Sequence, residues 1–150
     1  MLIEDVACEV DKLGDMTQDL IDMFERFGYD DASCMGHALE GNLHLVFSQG
    51  FRNDEEVKRY AAMMEEMCEI VATKYEGSLK AEHGTGRNVA PFVEMEWGNK
   101  AYELMWELKE LFDPEYVLNP GVILSRDKDC LLYTSPSPRD QRGSRMPSSA

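Results

Sequence analysis

The sequence predicts an α+β fold: a four-stranded antiparallel sheet with helices on one face and a helical extension at the C-terminal end. Two observations carry this expectation. Four stretches, residues 2–10, 31–37, 42–48 and 77–83, read as extended chain, while 15–27 and 53–77 carry apolar residues at helical spacing. Their order is strand, helix, strand, strand, helix, strand, which is the split βαβ or ferredoxin-like (βαββαβ) arrangement.

Each element has a local reason. "LIEDVACEV" alternates well enough for a strand, with Ile3, Val6 and Val10 as apolar positions. Asp15 followed by Gln18 has the pattern of a capping box and opens a helix bearing Met16, Leu20, Met23, Phe24 and Phe27. Gly28 is placed to end that helix in the left-handed conformation. Two short strands follow, joined by a turn from Ala38 to Gly41. Asn53 and Glu56 repeat the capping pattern, and Val57, Tyr60, Ala61, Met64, Met67, Cys68 and Val71 form one apolar stripe. That stripe is rich in methionine, and its spacing describes core packing rather than a partner groove. "GSLKAEH", residues 77–83, returns as a strand. A third helix over 99–112, after a turn led by Pro91, is expected to bury Ala101, Leu104, Met105, Leu108, Leu111 and Phe112. Asp113-Pro114 stops it.

Composition narrows the function. A chain of 150 residues, 43% hydrophobic and 29% charged, is long enough for one domain with a real core. The formal net charge of −14 argues against nucleic acid as a partner, since phosphates require basic patches. No apolar run reaches membrane-spanning length, and Met1 is not followed by the basic and apolar regions of a signal peptide. Cys8, Cys34, Cys68 and Cys130 are scattered, which favours reduced thiols and a cytoplasmic setting. Residues 130–150 turn abruptly to Ser, Pro and Arg without periodicity. They read as a disordered, non-native tail resembling translated adapter sequence, so the domain is expected to occupy residues 1–129.

The chemistry concentrates in "GHALEGNLH", residues 36–44. If His37 ends one strand and His44 lies opposite it on the next, both imidazoles share a face and can converge on one ion. Two histidines bind a metal weakly, and a carboxylate would complete a site with open positions. Glu82 in "AEHGTGR" is the candidate, about 10 Å away between backbones across two strand spacings. The plainer alternative is that these histidines are half-exposed polar residues. A regular strand would also turn Glu82 and His83 to opposite faces, although Gly84 and Gly86 allow a sharp turn after His83. Arg87 reads as a surface ion pair more readily than as a carboxylate clamp. A metal-dependent hydrolase is disfavoured because H-E-x-x-H is absent.

"GHALEGNLH", "GSLKAEHGTGR" and "FDPEYVLNPG", in this order, resemble the C-terminal domain of the FAD-linked oxidases, a family that includes D-lactate, glycolate and D-2-hydroxyglutarate dehydrogenases. The resemblance covers about residues 2–124. "LIEDVA", "EHGTGRNVAPFVEMEWG" and "LNPGVIL" are most similar to large bacterial members with an additional iron–sulfur region. It implies an FAD-dependent 2-hydroxy-acid dehydrogenase that oxidises the hydroxyl to a keto acid with hydride transfer to flavin. It further implies a divalent metal, zinc or similar, held by His37, His44 and Glu82, and His83 as the base. Asn42 would line the same pocket and Asn119 would lie near the flavin. The family binds FAD mainly through a separate N-terminal domain. The chain therefore reads as a truncated fragment, inactive alone, with an exposed apolar patch where the flavin domain docks. Two departures bear on substrate: Ile3 stands where related enzymes often carry lysine, and Val46 where D-2-hydroxyglutarate dehydrogenases tend to be polar. The alternative from the residues alone is a free-standing ferredoxin-like metal- or ligand-binding module without redox activity.

Overall fold

The structure is a computed structural model that describes residues 1–126; the expected tail, 130–150, lies outside the described residues. Strand β1 (Leu2–Ala7) leads through a 3-10 turn into helix α1 (Leu13–Arg26), then β2 (Ser33–Met35), β3 (Asn42–Phe47) and helix α2 (Asp54–Cys68). α2 continues as π-helix over Glu69–Lys74, and a short helix α3 (Gly86–Val89) precedes the long α4 (Val93–Phe112). The sheet is antiparallel with order β1-β3-β2. The α+β class expected from the sequence is the one observed.

Strand alternation divides the sheet into two faces. Glu4 pairs with Leu45 and Val6 with Leu43, and these side chains turn toward the helices. There Val6, Leu43, Leu45 and Phe47 meet Met16, Leu20, Met23 and Phe24 of α1 and Tyr60, Met63, Met64 and Met67 of α2. The methionine stripe is therefore core, as its spacing indicates. Ile3, Asp5, His44 and Val46 occupy the other face.

Several boundaries differ from expectation. The region 31–37 forms a strand only at Ser33–Met35. Residues 77–83 lie beside β1 as a single bridge, Ala7 with Ser78, supplemented by Ala81 N–H donating to the Asp5 carbonyl at 3.3 Å. A regular fourth strand does not form, because the next amides turn to a side chain of β1. The Asp15 capping pattern is also unused: α1 begins earlier, at Leu13, and Gln18 donates to Asp22. Asn53 does cap α2, its side chain accepting the Glu56 N–H at 2.9 Å.

The C-terminal helix departs furthest. Gly98 breaks it with φ +77°, so the regular run begins at residue 99 as the sequence suggested. Yet Leu104, Leu108, Leu111 and Phe112 are exposed, at 57–75%, while Tyr102 and Trp106 are buried against Val93. The helix rests on its aromatic edge and leaves its leucine face outward. The expected burial of that face is not observed among the described residues.

A charged pair is enclosed on the helix side of the sheet. Glu4, 1% exposed, accepts from Lys80 Nζ at 2.5 Å and from Asn88 Nδ2 at 3.1 Å. Removing one partner leaves an uncompensated buried charge, so Lys80→Ala should cost about 3–5 kcal/mol in chemical denaturation. A second anchor, Asp113, ends α4. It accepts from Lys109 and from the Val117 and Leu118 N–H groups at 3.0 and 2.9 Å. Chiefly through Lys109, its carboxyl is held below the ordinary value, with burial opposing and the two amides assisting. A depressed folded pKa stabilises above the unfolded value and loses that contribution as pH falls. Wild-type stability should therefore decline from about pH 4 downward, and Asp113→Asn should flatten that decline in melts across pH 3–6.

Candidate functional site

The outer face of the sheet assembles the site. Asp5 on β1 pairs with His44 on β3, and His44 pairs with Met35 on β2. His37 is not the partner of His44 in the ladder, contrary to the sequence expectation. It lies two residues beyond Met35, where the strand has ended, and its carbonyl accepts the Glu40 and Asn42 N–H groups at 2.8 and 3.3 Å. The two-residue period still brings it to the same side. The His37 and His44 rings meet edge to face at 5.5 Å.

The glycines of "GHALEGNLH" make this approach possible. Gly41 is left-handed, φ +67°, and a Cβ there would stand 2.0 Å from the Cys8 carbonyl oxygen. At Gly36 a Cβ would lie 2.4 Å from the Asn42 carbonyl oxygen. Backbone occupies both spaces.

Glu82 and His83 reach the same site by an irregular path. Both N–H groups donate to one oxygen, Asp5 Oδ2, at 2.6 and 2.7 Å. Successive amides of a regular strand point opposite ways, so this arrangement excludes one and turns both side chains to the histidines. Glu82 Oε1 then lies 3.0 Å from His44 Nε2, 3.4 Å from His37 Nε2 and 3.9 Å from His83 Nε2. His83 stacks on His44 with ring centres 4.8 Å apart and planes within 4°. Ligand atoms of Asp5, His44, Glu82 and His83 all lie within 4.8 Å of one another.

Asp5 is the member that sequence reasoning missed as a site residue. It is fully buried, which by itself raises a carboxyl pKa. The His83 and Glu82 N–H groups, the Asn42 amide at 2.6 Å and the charge of His83 outweigh this and hold it below the ordinary value. The available signal was the adjacency of two acids in a strand, one of which must face the histidines.

The donor set suits a divalent cation. Imidazole nitrogens and a carboxylate oxygen are the ligand types of zinc and related metals. His44 has a carboxylate at each nitrogen: Glu82 at Nε2 and Asp5 Oδ1 at 3.3 Å from Nδ1, too poorly aligned for a hydrogen bond. A neutral imidazole has one N–H for these two anions, and a cation at Nε2 would resolve the mismatch. His37, Glu82 and His83 are all exposed, leaving the cluster open on one side.

The sequence model described as "FAD linked oxidases, C-terminal domain" matches residues 1–123. The chain belongs to this family. Among its relatives, the glycolate oxidase subunit GlcD of Bacillus subtilis is 32% identical over 127 residues, covering 84% of this chain and 26% of that protein. A D-lactate dehydrogenase of Anaerostipes hadrus is 33% identical over 88 residues, 59% of this chain and 18% of the relative. A probable mitochondrial D-2-hydroxyglutarate dehydrogenase of Oryza sativa subsp. indica is 32% identical over 124 residues, 80% and 20% respectively. The chain thus spans about a quarter or less of the length of these relatives.

Of the residues singled out in the sequence of this oxidase domain, the structure gathers His37, His44, Glu82 and His83. Asn42 is adjacent but committed to the protein: its Nδ2 donates to Asp5 and to the Val6 carbonyl. Asn119 stands in an exposed turn with φ +45°, and no hydrogen bond joins it to the cluster among the described residues. The Arg87 guanidinium reaches that turn, with Nη1 3.3 Å from where a Cβ on Gly121 would sit. Glu40 is exposed in the intervening turn. Gly41→Ala should destabilise the domain by about 2 kcal/mol or more, from left-handed strain and the Cys8 clash. Gly14→Ala, in a helical position with open space, should instead gain up to about 1 kcal/mol; urea denaturation of both variants checks the contrast.

Proposed function

We propose that this chain is the substrate-side domain of an FAD-dependent dehydrogenase that oxidises a 2-hydroxy acid of the D-lactate, glycolate or D-2-hydroxyglutarate type to its keto acid. The observation that carries the reading is the convergence of three imidazole Nε2 atoms on Glu82 Oε1, at 3.0–3.9 Å. His37, His44 and Glu82 would hold a divalent cation, which would supply Lewis-acid polarisation of the substrate's hydroxyl and carboxylate oxygens, while FAD would supply the hydride acceptor. His83 is the base. At 3.9 Å its Nε2 is too far from Glu82 Oε1 for a hydrogen bond, so it is left to take the hydroxyl proton. A well-placed base contributes roughly 10² to 10⁴ in rate. Stacking on His44 orients its ring.

The neighbouring side chains bear on substrate. Ile3 pairs with Val46 beside the Asp5–His44 rung, and Met35 flanks it on the other strand. This apolar floor suits a monocarboxylate with a short apolar substituent better than a dicarboxylate. The outward leucine face of α4 suits docking against an FAD-binding domain of the same polypeptide, and Asn119, in its exposed turn, is assigned to that flavin side. A ferredoxin-like topology is part of this reading, supported by the placement of residues 78–81 beside β1. A cytoplasmic setting is supported by free Cys8, Cys34 and Cys68. No helix among the described residues is long and apolar enough to cross a membrane.

Zinc titration of the chain against a chromophoric chelator tests the ligand set. His37→Ala, His44→Ala and Glu82→Ala should each weaken binding at least tenfold, and His83→Ala by less than about threefold. In a polypeptide that includes the FAD-binding domain, His83→Ala should keep its metal and lose about 10² in the rate of flavin reduction. Equal metal loss in His83→Ala and His37→Ala would overturn the division of roles. Absence of zinc binding that depends on His37, His44 and Glu82 would overturn the metal site. A free-standing module would give the zinc result with no role in flavin reduction.

A further inference from the structure

We propose that the consecutive acids Glu4 and Asp5 form a two-sided clamp on the loop bearing Glu82 and His83, and that Asp5 is a positioning residue which keeps the His44 proton on Nδ1 when a cation occupies Nε2. The inference rests on the reading of His44 and Glu82 as ligands, and extends it to residues that do not ligate.

Neighbours on a strand project to opposite faces, and the loop is gripped on both. On the helix face, Glu4 holds Lys80 at 2.5 Å and Asn88 at 3.1 Å, one residue from each side of the loop. On the histidine face, Asp5 Oδ2 accepts the Glu82 and His83 N–H groups at 2.6 and 2.7 Å. Asp5 Oδ1 accepts Asn42 Nδ2 at 2.6 Å and faces His44 Nδ1 at 3.3 Å. A carboxylate has about four acceptor positions, and here three are filled and the fourth faces an imidazole nitrogen. Asp5 therefore lies among candidate ligand atoms without a free lone pair to offer a cation. Glu82 Oε1, 3.0 Å from His44 Nε2, competes for the same proton, so Asp5 supports the Nδ1 tautomer once a cation stands between Nε2 and Glu82.

Asp5→Asn is nearly isosteric and separates orientation from packing. Its amide oxygen must remain on the Glu82 and His83 N–H groups, which turns its NH₂ toward His44. That group sets N–H bonds against Nδ1, which disfavours a proton there and drives it to Nε2, the atom required for ligation. Asn42, whose Oδ1 is buried without a hydrogen-bond partner, can reverse its amide to accommodate the change.

The test uses the 150-residue chain, ¹⁵N-labelled, at a pH well above the ordinary imidazole range. With zinc bound, wild type should show His44 protonated on Nδ1; with or without it, the Glu82 and His83 amides should exchange slowly. At zinc concentrations that load wild type, Asp5→Asn should keep the His44 proton on Nε2, with a tenfold or greater loss of zinc affinity and unchanged circular dichroism. An unchanged tautomer, or zinc affinity within twofold of wild type, would overturn the proposal. If wild type binds no zinc, the ligand reading fails, while the exchange of the Glu82 and His83 amides still decides the clamp at Asp5. If Asp5→Asn does not fold, the wild-type spectra decide alone: a His44 proton on Nε2 with zinc bound, or rapid exchange of either amide, overturns it.

Discussion

A single buried carboxylate receives two successive backbone N–H groups, and most of the site follows from that arrangement. Asp5 Oδ2 takes the amides of Glu82 and His83, so the chain after Leu79 abandons the sheet ladder and bends over the histidine face. Hydrogen bonds to a charged acceptor contribute about 1.5–3 kcal/mol each. Together they offset the cost of enclosing the charge, which is why Asp5 stays ionised despite complete burial. Regular pairing in this segment would have sent Glu82 and His83 to opposite faces. The loss of one strand's regularity thus builds the cluster.

The two faces of β1 divide the labour between stability and chemistry. Glu4 ties Lys80 and Asn88 on the side of the methionine-lined core, where a tightly packed interior holds the sheet in one register. Asp5 acts on the open side, where exposed imidazoles and a carboxylate gather. Rigidity on one side and access on the other come from the same six-residue strand. The placement resembles that of supporting hydrogen bonds around metal sites, which orient ligands without touching the ion.

The C-terminal helix shows the same economy at a larger scale. Tyr102 and Trp106 supply a small satellite core with Val93, Met105 and Leu124, enough to seat the helix. Its leucines remain outward, an apolar surface of the kind that a partner domain covers. The relatives named above are several times longer than this chain.

The sequence by itself determined the α+β class, the order of the first three strands and two helices, the methionine core and four of the five residues that meet in the cluster. These features depend on local periodicity and on short motifs whose glycines, Gly36 and Gly41, are demanded by close backbone approach. Tertiary structure alone decided the rest. That His44 faces Asp5 and Met35 rather than His37 depends on register, which is set by pairing between distant segments. That Glu82 and His83 point the same way depends on a carboxylate almost eighty residues earlier in the chain. Which face of α4 is buried depends on what lies beside it: periodicity identifies an apolar stripe, but its burial requires a partner surface, and within this chain the aromatic edge found one first.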